Sequence, residues 1–248
     1  MKQGKITAII QAHMSSSRLP GKILKDLCGE PALYRMIERV RHSKYIGEIV
    51  LATTTMECDD IIVEYCEKWG VKTFRGSNDD VLGRYYGAAQ QYPSDYYARL
   101  TSDCPMIDPG VIDDMAEYFF ANDYRYVGCS FGPSAPRTLC NGMDCEIFTP
   151  ELLDEAYHKA TITYEREHVT PYMYTTNESK GVFPYERDES AYRLTLDTPE
   201  DYEVIRLVYE ALYQPGNNFT LDDMVAYLDA HPEILAINSS VAQKDLGE

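Results

Sequence analysis

Residues 9–22 read Ile-Ile-Gln-Ala-His-Met-Ser-Ser-Ser-Arg-Leu-Pro-Gly-Lys, and the architecture is decided here. An apolar run stops at Gln11, and a loop of small residues follows in which Arg18 and Lys22 stand four apart around the Pro20-Gly21 turn. A short apolar run bounded by turn residues is the pattern of a strand buried on both faces. At its carboxyl end, serines and backbone N–H groups that donate hydrogen bonds, with two cations to offset charge, suit a triphosphate. An ordinary polar strand-to-helix turn has the same composition, and the spacing alone weighs the two about evenly. The loop lacks the Gly-x-x-x-x-Gly-Lys-Ser/Thr spacing of a P-loop and the Gly-x-Gly-x-x-Gly dinucleotide fingerprint.

Outward from this loop, strand and helix signals alternate. Ile6–Gln11 is the first strand, and Pro31 opens a helix carrying Leu33, Met36, Ile37 and Val40 at helical spacing. Strands follow at Glu48–Thr53, Val71–Phe74, Tyr96–Thr101 and Tyr126–Cys129, separated by helices at Asp59–Trp69 (closed by Gly70), Val81–Gln91 and Pro109–Ala121. Such alternation implies βαβ units and a mostly parallel sheet, with ligands beyond the strands' carboxyl ends. The opening loop, Thr53-Thr54-Thr55, Gly76-Ser77 and Ser102-Asp103 all fall at those ends and should share one crevice.

The second half is less regular. Residues 131–142 have the Pro, Gly and Ser content of a lid-like loop. Met143–Phe148 reads as a strand, Pro150 as a helix start, Glu165–Tyr174 as a helix interrupted near Pro171, and Tyr192–Leu196 as a strand. Thr198-Pro199 and Thr220-Leu221 are N-cap signals for two further helices. No repeat or linker composition divides the chain. The expectation is a single domain over residues 1–248, with about 131–191 as an inserted subregion.

Composition narrows the function. Forty acidic against 23 basic side chains give a formal net charge of -17, which repels nucleic acid and anionic membranes. Against that background a local basic cluster points to a small anionic ligand. The seven cysteines contain no C-x-x-C pair and are odd in number, arguing for reduced thiols in a cytoplasmic protein rather than a disulfide or zinc framework. No signal-peptide core or membrane-length apolar run is present.

Several motifs carry chemistry. Asp103 in Thr101-Ser102-Asp103-Cys104-Pro105 and Asp197 in Leu196-Asp197-Thr198-Pro199 each follow a strand. Each alone also reads as a turn or cap residue. Together with Arg18 and Lys22 they make a coherent metal–triphosphate site, since Mg²⁺ typically takes one or two carboxylates plus substrate phosphates. Asp144 and Glu146, two apart in Asn141-Gly142-Met143-Asp144-Cys145-Glu146, share a strand face. They require a cation or substrate hydroxyls if buried. Glu165 and His168 share a helical face, suited to proton transfer, metal or substrate binding. Ser77 to Tyr85 join a strand to a helix whose first N–H groups can meet a ribose or base, or be capped by Asp79 and Asp80.

Taken together, QAHMSSSRLPGK (11–22), ATTT (52–55), GSNDDVLGRYYGAA (76–89), RLTSDCPMIDP (99–109), GMDCEIF (142–148), EREHVTPYMY (165–174) and TLDTPEDYEVI (195–205) resemble the spore-coat-polysaccharide-type cytidylyltransferases, relatives of the CMP-KDO and CMP-sialic acid synthetases. Their collinear order is more specific than any one motif. The resemblance implies a Rossmann-like, GT-A-like nucleotidyltransferase fold. It also implies attack of an acceptor oxygen on the α-phosphorus of CTP, with pyrophosphate leaving and Mg²⁺ as cofactor. By family match, Arg18 and Lys22 bind the triphosphate, and Asp103 and Asp197 hold Mg²⁺. Ala12, His13, Ser17, Thr53, Thr54, Ser77, Arg84 and Ser102 line the nucleotide pocket. Asn141, Asp144, Glu146, Glu165, His168 and Arg193 are the acceptor-side candidates.

The expected acceptor is a nonulosonic-type sugar acid, or a phosphorylated sugar or polyol, for surface polysaccharide. The competing readings are a GT-A glycosyltransferase, against which Ser102-Asp103-Cys104 lacks the usual Asp-x-Asp, and a nucleotide-binding homologue without catalysis. Related enzymes are often dimers, and Tyr172 to Tyr174 is the candidate partner-facing stretch. One departure stands out: His13 occupies a position where the family usually carries arginine.

Overall fold

The computed structural model describes residues 4–132 and 135–242; positions 133–134 of the lid-like loop lie outside the described residues. The expected strand β1 (Ile6–Gln11) is an interior strand of a seven-stranded sheet, and its side chains explain why. Ala8 and Ile10 enter one core and Ile9 the other, all fully buried. Both faces of the strand are therefore covered, as the unbroken apolar run requires. Burial of an isoleucine of this kind contributes about 2 kcal/mol.

After β1 the chain forms a two-residue hairpin, β2 (Asp26–Leu27) and β3 (Glu30–Pro31), then α1 (Ala32–Val40) and β4 (Ile46–Thr54). Next come α2 (Asp60–Trp69), β5 (Lys72–Gly76), α3 (Val81–Gln91), β6 (Tyr96–Thr101) and α4 (Pro109–Ala121). The second half supplies β7 (Tyr126–Gly128), β8 (Glu146–Phe148), α5 (Pro150–Lys159), α6 (Thr163–His168), α7 (Pro171–Thr176) and β9 (Lys180–Val182). It closes with α8 (Pro199–Leu212), α9 (Leu221–Ala230) and α10 (Pro232–Leu235).

The sheet order is β5-β4-β1-β6-β8-β7-β9, with β8 antiparallel to both neighbours and the other pairs parallel. One face carries Met36 of α1, Ile62 of α2, Met115 of α4, Ile205 of α8 and Met224 of α9. The other carries Leu82 of α3, Leu152 of α5 and Met173 of α7. The result is a mostly parallel α/β sandwich. Gly70 ends α2 at φ 65°, and Thr198 and Thr220 open α8 and α9 with full capping boxes closed by Asp201 and Asp223.

Three expected elements differ. Tyr192–Leu196 is not a strand; Arg193 makes a single bridge to Asn141. The two segments meet where Gly142 (φ 104°) lies so close to Leu194 that a Cβ would stand 2.5 Å from its carbonyl group. That crossing leaves no room for a ladder. The strand foreseen over Met143–Phe148 begins only at Glu146, because Asp144 folds back to accept the Gly142 N–H at 3.1 Å. The single helix foreseen over Glu165–Tyr174 is two, α6 and α7, broken at Val169 (φ 72°). The 131–191 stretch gives β8 and β9 to the central sheet and packs α5 to α7 beside it.

Candidate active site

Strands β1 and β6 end level, with Gln11 opposite Thr101, and on the other side β4 continues past Ala52, the partner of Gln11, to Thr54. Their following loops therefore leave the sheet side by side. The Ala12 N–H donates to the Ala52 carbonyl at 3.1 Å, extending the ladder by one step before the chain turns. The loop then closes on itself: the Gly21 N–H donates to the Met14 carbonyl at 3.2 Å, and the Lys22 N–H to Leu19 at 3.1 Å. Gly21 sits at φ 67°, a left-handed conformation that favours glycine. The loop's base is held by a residue the sequence reading passed over. Asp59, 1% exposed, accepts the Met14 N–H at 2.7 Å and the Thr54 hydroxyl.

Lys22 is aimed across the crevice. Its Nζ lies 2.8 Å from Asp197 Oδ1 and 3.4 Å from Asp103 Oδ2. Arg18 reaches Asp197 Oδ2 at 3.1 Å, and Arg193 reaches the same oxygen at 3.2 Å. The two aspartate loops are tied together, since the Asp103 carbonyl accepts the Leu196 N–H at 2.7 Å and the Thr195 hydroxyl at 3.3 Å. Burial opposes charge on Lys22, but Asp103 and then Asp197 outweigh it and raise its pKa. Burial likewise opposes charge on Asp103, and the Lys22 ammonium with the Thr101 hydroxyl holds its carboxyl below the usual range. Hard oxygens from two loops thus already surround one positive charge. Among the described residues no three His, Cys, Asp or Glu side chains gather as a metal cage. Two carboxylates that need further oxygens from a substrate fit the habit of Mg²⁺.

The nucleotide-side candidates divide by what their polar atoms already hold. Thr53 is fully buried and its hydroxyl has no partner among the described residues; Arg84 is 3% exposed and its Nε and Nη1 have none there either. Buried polar groups are normally satisfied, so these atoms have bonding capacity to spare, as have Thr7 Oγ1 and Arg99 Nε. The Thr54 hydroxyl is spent on Asp59. Ser77 accepts the N–H groups of Asp79 and Asp80 at 3.2 Å, acting as a turn cap. Ser102 is buried, with its N–H on the Gln11 carbonyl at 3.1 Å, and Ser17 is exposed. His13 is half-buried with Nδ1 2.9 Å from Ser15 Oγ; burial, and then the Arg84 charge, lowers its pKa.

Beside the aspartates lies a cavity of about 230 Å³. Asn141, Asp144, Glu146 and His168 line it, as expected, together with Arg99 and Arg137, which were not foreseen. Glu146 is saturated: Arg99 pairs with one oxygen, while Tyr126 at 2.6 Å and Thr170 at 2.7 Å donate to the other. Arg137 lies 3.0 Å from both Asp144 Oδ1 and Asn141 Oδ1. His168 and Thr170 flank Val169, whose φ 72°, ψ -57° is a strained γ-turn for a β-branched residue, closed by the Thr170 N–H on the His168 carbonyl at 2.8 Å. Strain of this kind costs about 1–3 kcal/mol and concentrates at functional sites. Here it turns both side chains into the wall. Burial lowers the His168 pKa, leaving a neutral imidazole. Glu165 and Arg193 stand outside the wall, Arg193 behind it on Asp197 and Asp201. Three wall cysteines are inert thiols: burial pushes Cys129 up to about 12, and Cys104 and Cys145 well above the usual value.

The sequence model of one family, described as cytidylyltransferase, matches residues 7–219. The chain belongs to the cytidylyltransferase family. It is similar to spore coat polysaccharide biosynthesis protein SpsF of Bacillus subtilis, 31% identical over 239 residues that cover 92% of this chain and 95% of that one. A solved cytidylyltransferase from Leptospira borgpetersenii superposes with a TM-score of 0.85 at 38% identity, over 93% of this chain and 96% of that one. The 3-deoxy-manno-octulosonate cytidylyltransferase of Geobacter sulfurreducens is 32% identical over 111 residues, 44% of this chain and 43% of that one. The expected family and nucleotidyltransferase fold are thus borne out, and the glycosyltransferase and non-catalytic alternatives fall away.

In this cytidylyltransferase, Tyr172 to Tyr174 does not form an outward stripe. Met173 and Tyr174 are buried, and Tyr174 stacks on Phe131. No described helix is long and apolar enough to cross a membrane. Signals for the unforeseen residues were present: Arg99 is a cation inside the buried run Ala98-Arg99-Leu100, and Arg137 is the one cation in the 131–142 loop.

Proposed function

We propose that the enzyme transfers CMP from CTP, with Mg²⁺, to an anionic acceptor: a nonulosonic-type sugar acid, or next a phosphorylated sugar or polyol, for surface polysaccharide. The observation that carries this reading is the convergence of Lys22 on Asp103 and Asp197 at the edge of a cavity walled by Arg99, Arg137 and His168. Asp103 and Asp197 would hold Mg²⁺, which supplies charge neutralisation to the triphosphate. Lys22 and Arg18 would bind the phosphates and stabilise charge building on the departing pyrophosphate. The unpartnered atoms of Arg84 and Thr53 would meet the nucleoside.

Support for an anionic acceptor comes from the two wall arginines in a chain of net charge -17: each is paired with a wall carboxylate, yet Arg99 keeps a buried Nε with no partner among the described residues. Guanidinium groups pair with carboxylate or phosphate through planar, bidentate contacts. A phosphate acceptor is already ionised and needs no base. A sugar hydroxyl needs one. Asp197 is engaged by Lys22, Arg18 and Arg193; His168 in the wall is the group suited to take that proton.

The test is pyrophosphate release from CTP and MgCl₂ over a panel of 3-deoxy sugar acids, sugar phosphates, polyol phosphates and neutral sugars. Release that depends on an acidic acceptor supports the proposal. Turnover with neutral sugars alone refutes it.

A further inference from the structure

The family match ends at residue 219, yet the chain beyond it returns to the back of Asp197. After α9 and α10, Asn238 is 4% exposed, and its Nδ2 donates to Asp201 Oδ1 and to the Arg193 carbonyl, each at 3.0 Å. Asp201 is fully buried and collects four more hydrogen bonds: Arg193 Nε at 2.8 Å and Nη2 at 3.0 Å, and the N–H groups of Thr198 at 3.0 Å and Asp197 at 3.2 Å. One carboxylate therefore fixes both the backbone of Asp197 and the guanidinium that touches its side chain. Capping of α8 uses only Asp201 Oδ2. The Asn238 bond goes to the other oxygen, the one shared with Arg193 Nε.

Apolar packing of Ile234, Leu235 and Ile237 on the core brings the terminal segment here, and the contact at Asn238 itself is polar. A hollow of about 410 Å³, lined by Asn141, Tyr192, Arg193, Leu235, Asn238 and Val241, opens beside this contact. Asn141 lines both this hollow and the acceptor cavity. The polar tether there is the pair of Asn238 hydrogen bonds. We infer that Asn238 is a positioning residue for Asp197, acting through Asp201 and Arg193, so that the C-terminal segment completes the catalytic centre. The inference rests on the reading of Asp197 as a working residue of the site and not on which acceptor is used.

The experiment compares Asn238→Ala and Asn238→Asp in the full chain with wild type, folding being checked by thermal melts. Mn²⁺ affinity with CTP present and no acceptor is read from the free-ion electron paramagnetic resonance signal. CTP affinity comes from calorimetry, and kcat from the acceptor that turns over. Positioning predicts that Asn238→Ala weakens Mn²⁺ binding several-fold and lowers kcat about tenfold, since sub-ångström misplacement at a reacting centre costs of this order. Asn238→Asp, the same size but placing a carboxylate against Asp201, is worse still. A space-filling role predicts the reverse order. The inference fails if Asn238→Asp matches wild type in Mn²⁺ binding and kcat, or if both variants lose activity only in proportion to the folded fraction. Wild type that binds no Mn²⁺ with CTP sinks the metal reading instead, and CTP affinity and kcat then decide Asn238.

Discussion

Lys22→Met separates what the ammonium does for the fold from what it does for the reaction. In wild type the ammonium is shared by Asp103 and Asp197, and its side chain is 10% exposed. Breaking a buried pair costs about 3–5 kcal/mol because it strands the partner. Asp197 keeps Arg18 at 3.1 Å and Arg193 at 3.2 Å, so only Asp103, 28% exposed at its side chain, is stranded. A cost of about 2–3 kcal/mol follows, or a fall in Tm of about 5–10 °C for a domain of this size. The pH dependence has a definite sign. The Asp103 carboxyl is depressed from 3.8, so its contribution is present above that value and disappears as pH falls through the lower folded pKa. The Lys22 pKa is raised from 10.5, so its contribution is complete below 10.5 and disappears only above it. The gap between wild type and variant should be widest between about pH 5 and 9 and narrow below about pH 4. Mg²⁺ without nucleotide should raise the Tm of the variant more than that of wild type, because two carboxylates have lost their shared cation. CMP transfer should fall by about 10²–10³, the usual effect of removing a charge-stabilising donor. Melts at several pH values with and without Mg²⁺, and pyrophosphate release, read all three. A variant melting within about 2 °C of wild type at pH 7, or one retaining most of its turnover, would refute the reasoning.

Three other expectations follow from the site. His13→Arg supplies a permanent cation where burial and Arg84 hold the imidazole neutral at pH 7 and above; the KM for CTP should fall about three- to tenfold, and an unchanged KM across pH 6–8 would show that position 13 does not touch the nucleotide. Arg137→Gln removes a guanidinium from the cavity wall; on the proposed reading acceptor KM should rise about ten- to a hundredfold with CTP KM unmoved, and steady-state kinetics in both substrates decide it. Asp59→Ala leaves the Met14 N–H and the Thr54 hydroxyl without their acceptor, which should raise CTP KM about tenfold and lower the Tm, whereas Asp59→Asn keeps an oxygen for Met14 and should lose less.

Legibility in the sequence followed the reach of the interactions. Strands β1 and β6 and helices α3 and α4 have the expected limits, because buried apolar runs, Pro109 and the N-cap aspartates are local signals. Lys22 and Asp103 were legible because each lies in a loop that follows a parallel strand, and parallel strands bring such ends together; Asp197 was expected after a strand that does not form, and reaches the cluster because the Leu196 N–H is held by the Asp103 carbonyl. What escaped was set by distant partners. The direction of β8 depends on pairing with β6 and β7, which its three residues do not encode. Helical spacing runs through Val169, but Thr170 is captured by Glu146, 24 positions away, and the helix breaks there. Arg193 looked like a strand residue on the acceptor side; Asp201 draws its side chain behind the wall instead.

The pairing of charges around the cavity suggests how so acidic a chain admits anionic substrates. Asp103 has Lys22, Asp144 has Arg137, Glu146 has Arg99, and Asp197 has Arg18 beside its share of Lys22. Each carboxylate is matched, so the crevice is close to neutral although the whole chain carries -17. The cations are already stripped of much of their water, which removes a large part of the desolvation cost from binding. On the proposed reading, a metal-bound triphosphate exchanges partners rather than adding charge. The carboxylates pass from ammonium to metal, Lys22 and Arg18 pass from carboxylate to phosphate, and no ion is left uncompensated. A site of permanently free cations would hold any phosphate. One in which the cations are released only when a metal takes the aspartates favours the metal complex over the bare anion. CTP affinity should therefore depend on the divalent ion far more in wild type than in Asp103→Asn, where Lys22 has already lost one of its two carboxylates. Equal dependence in both would show that the exchange does not occur.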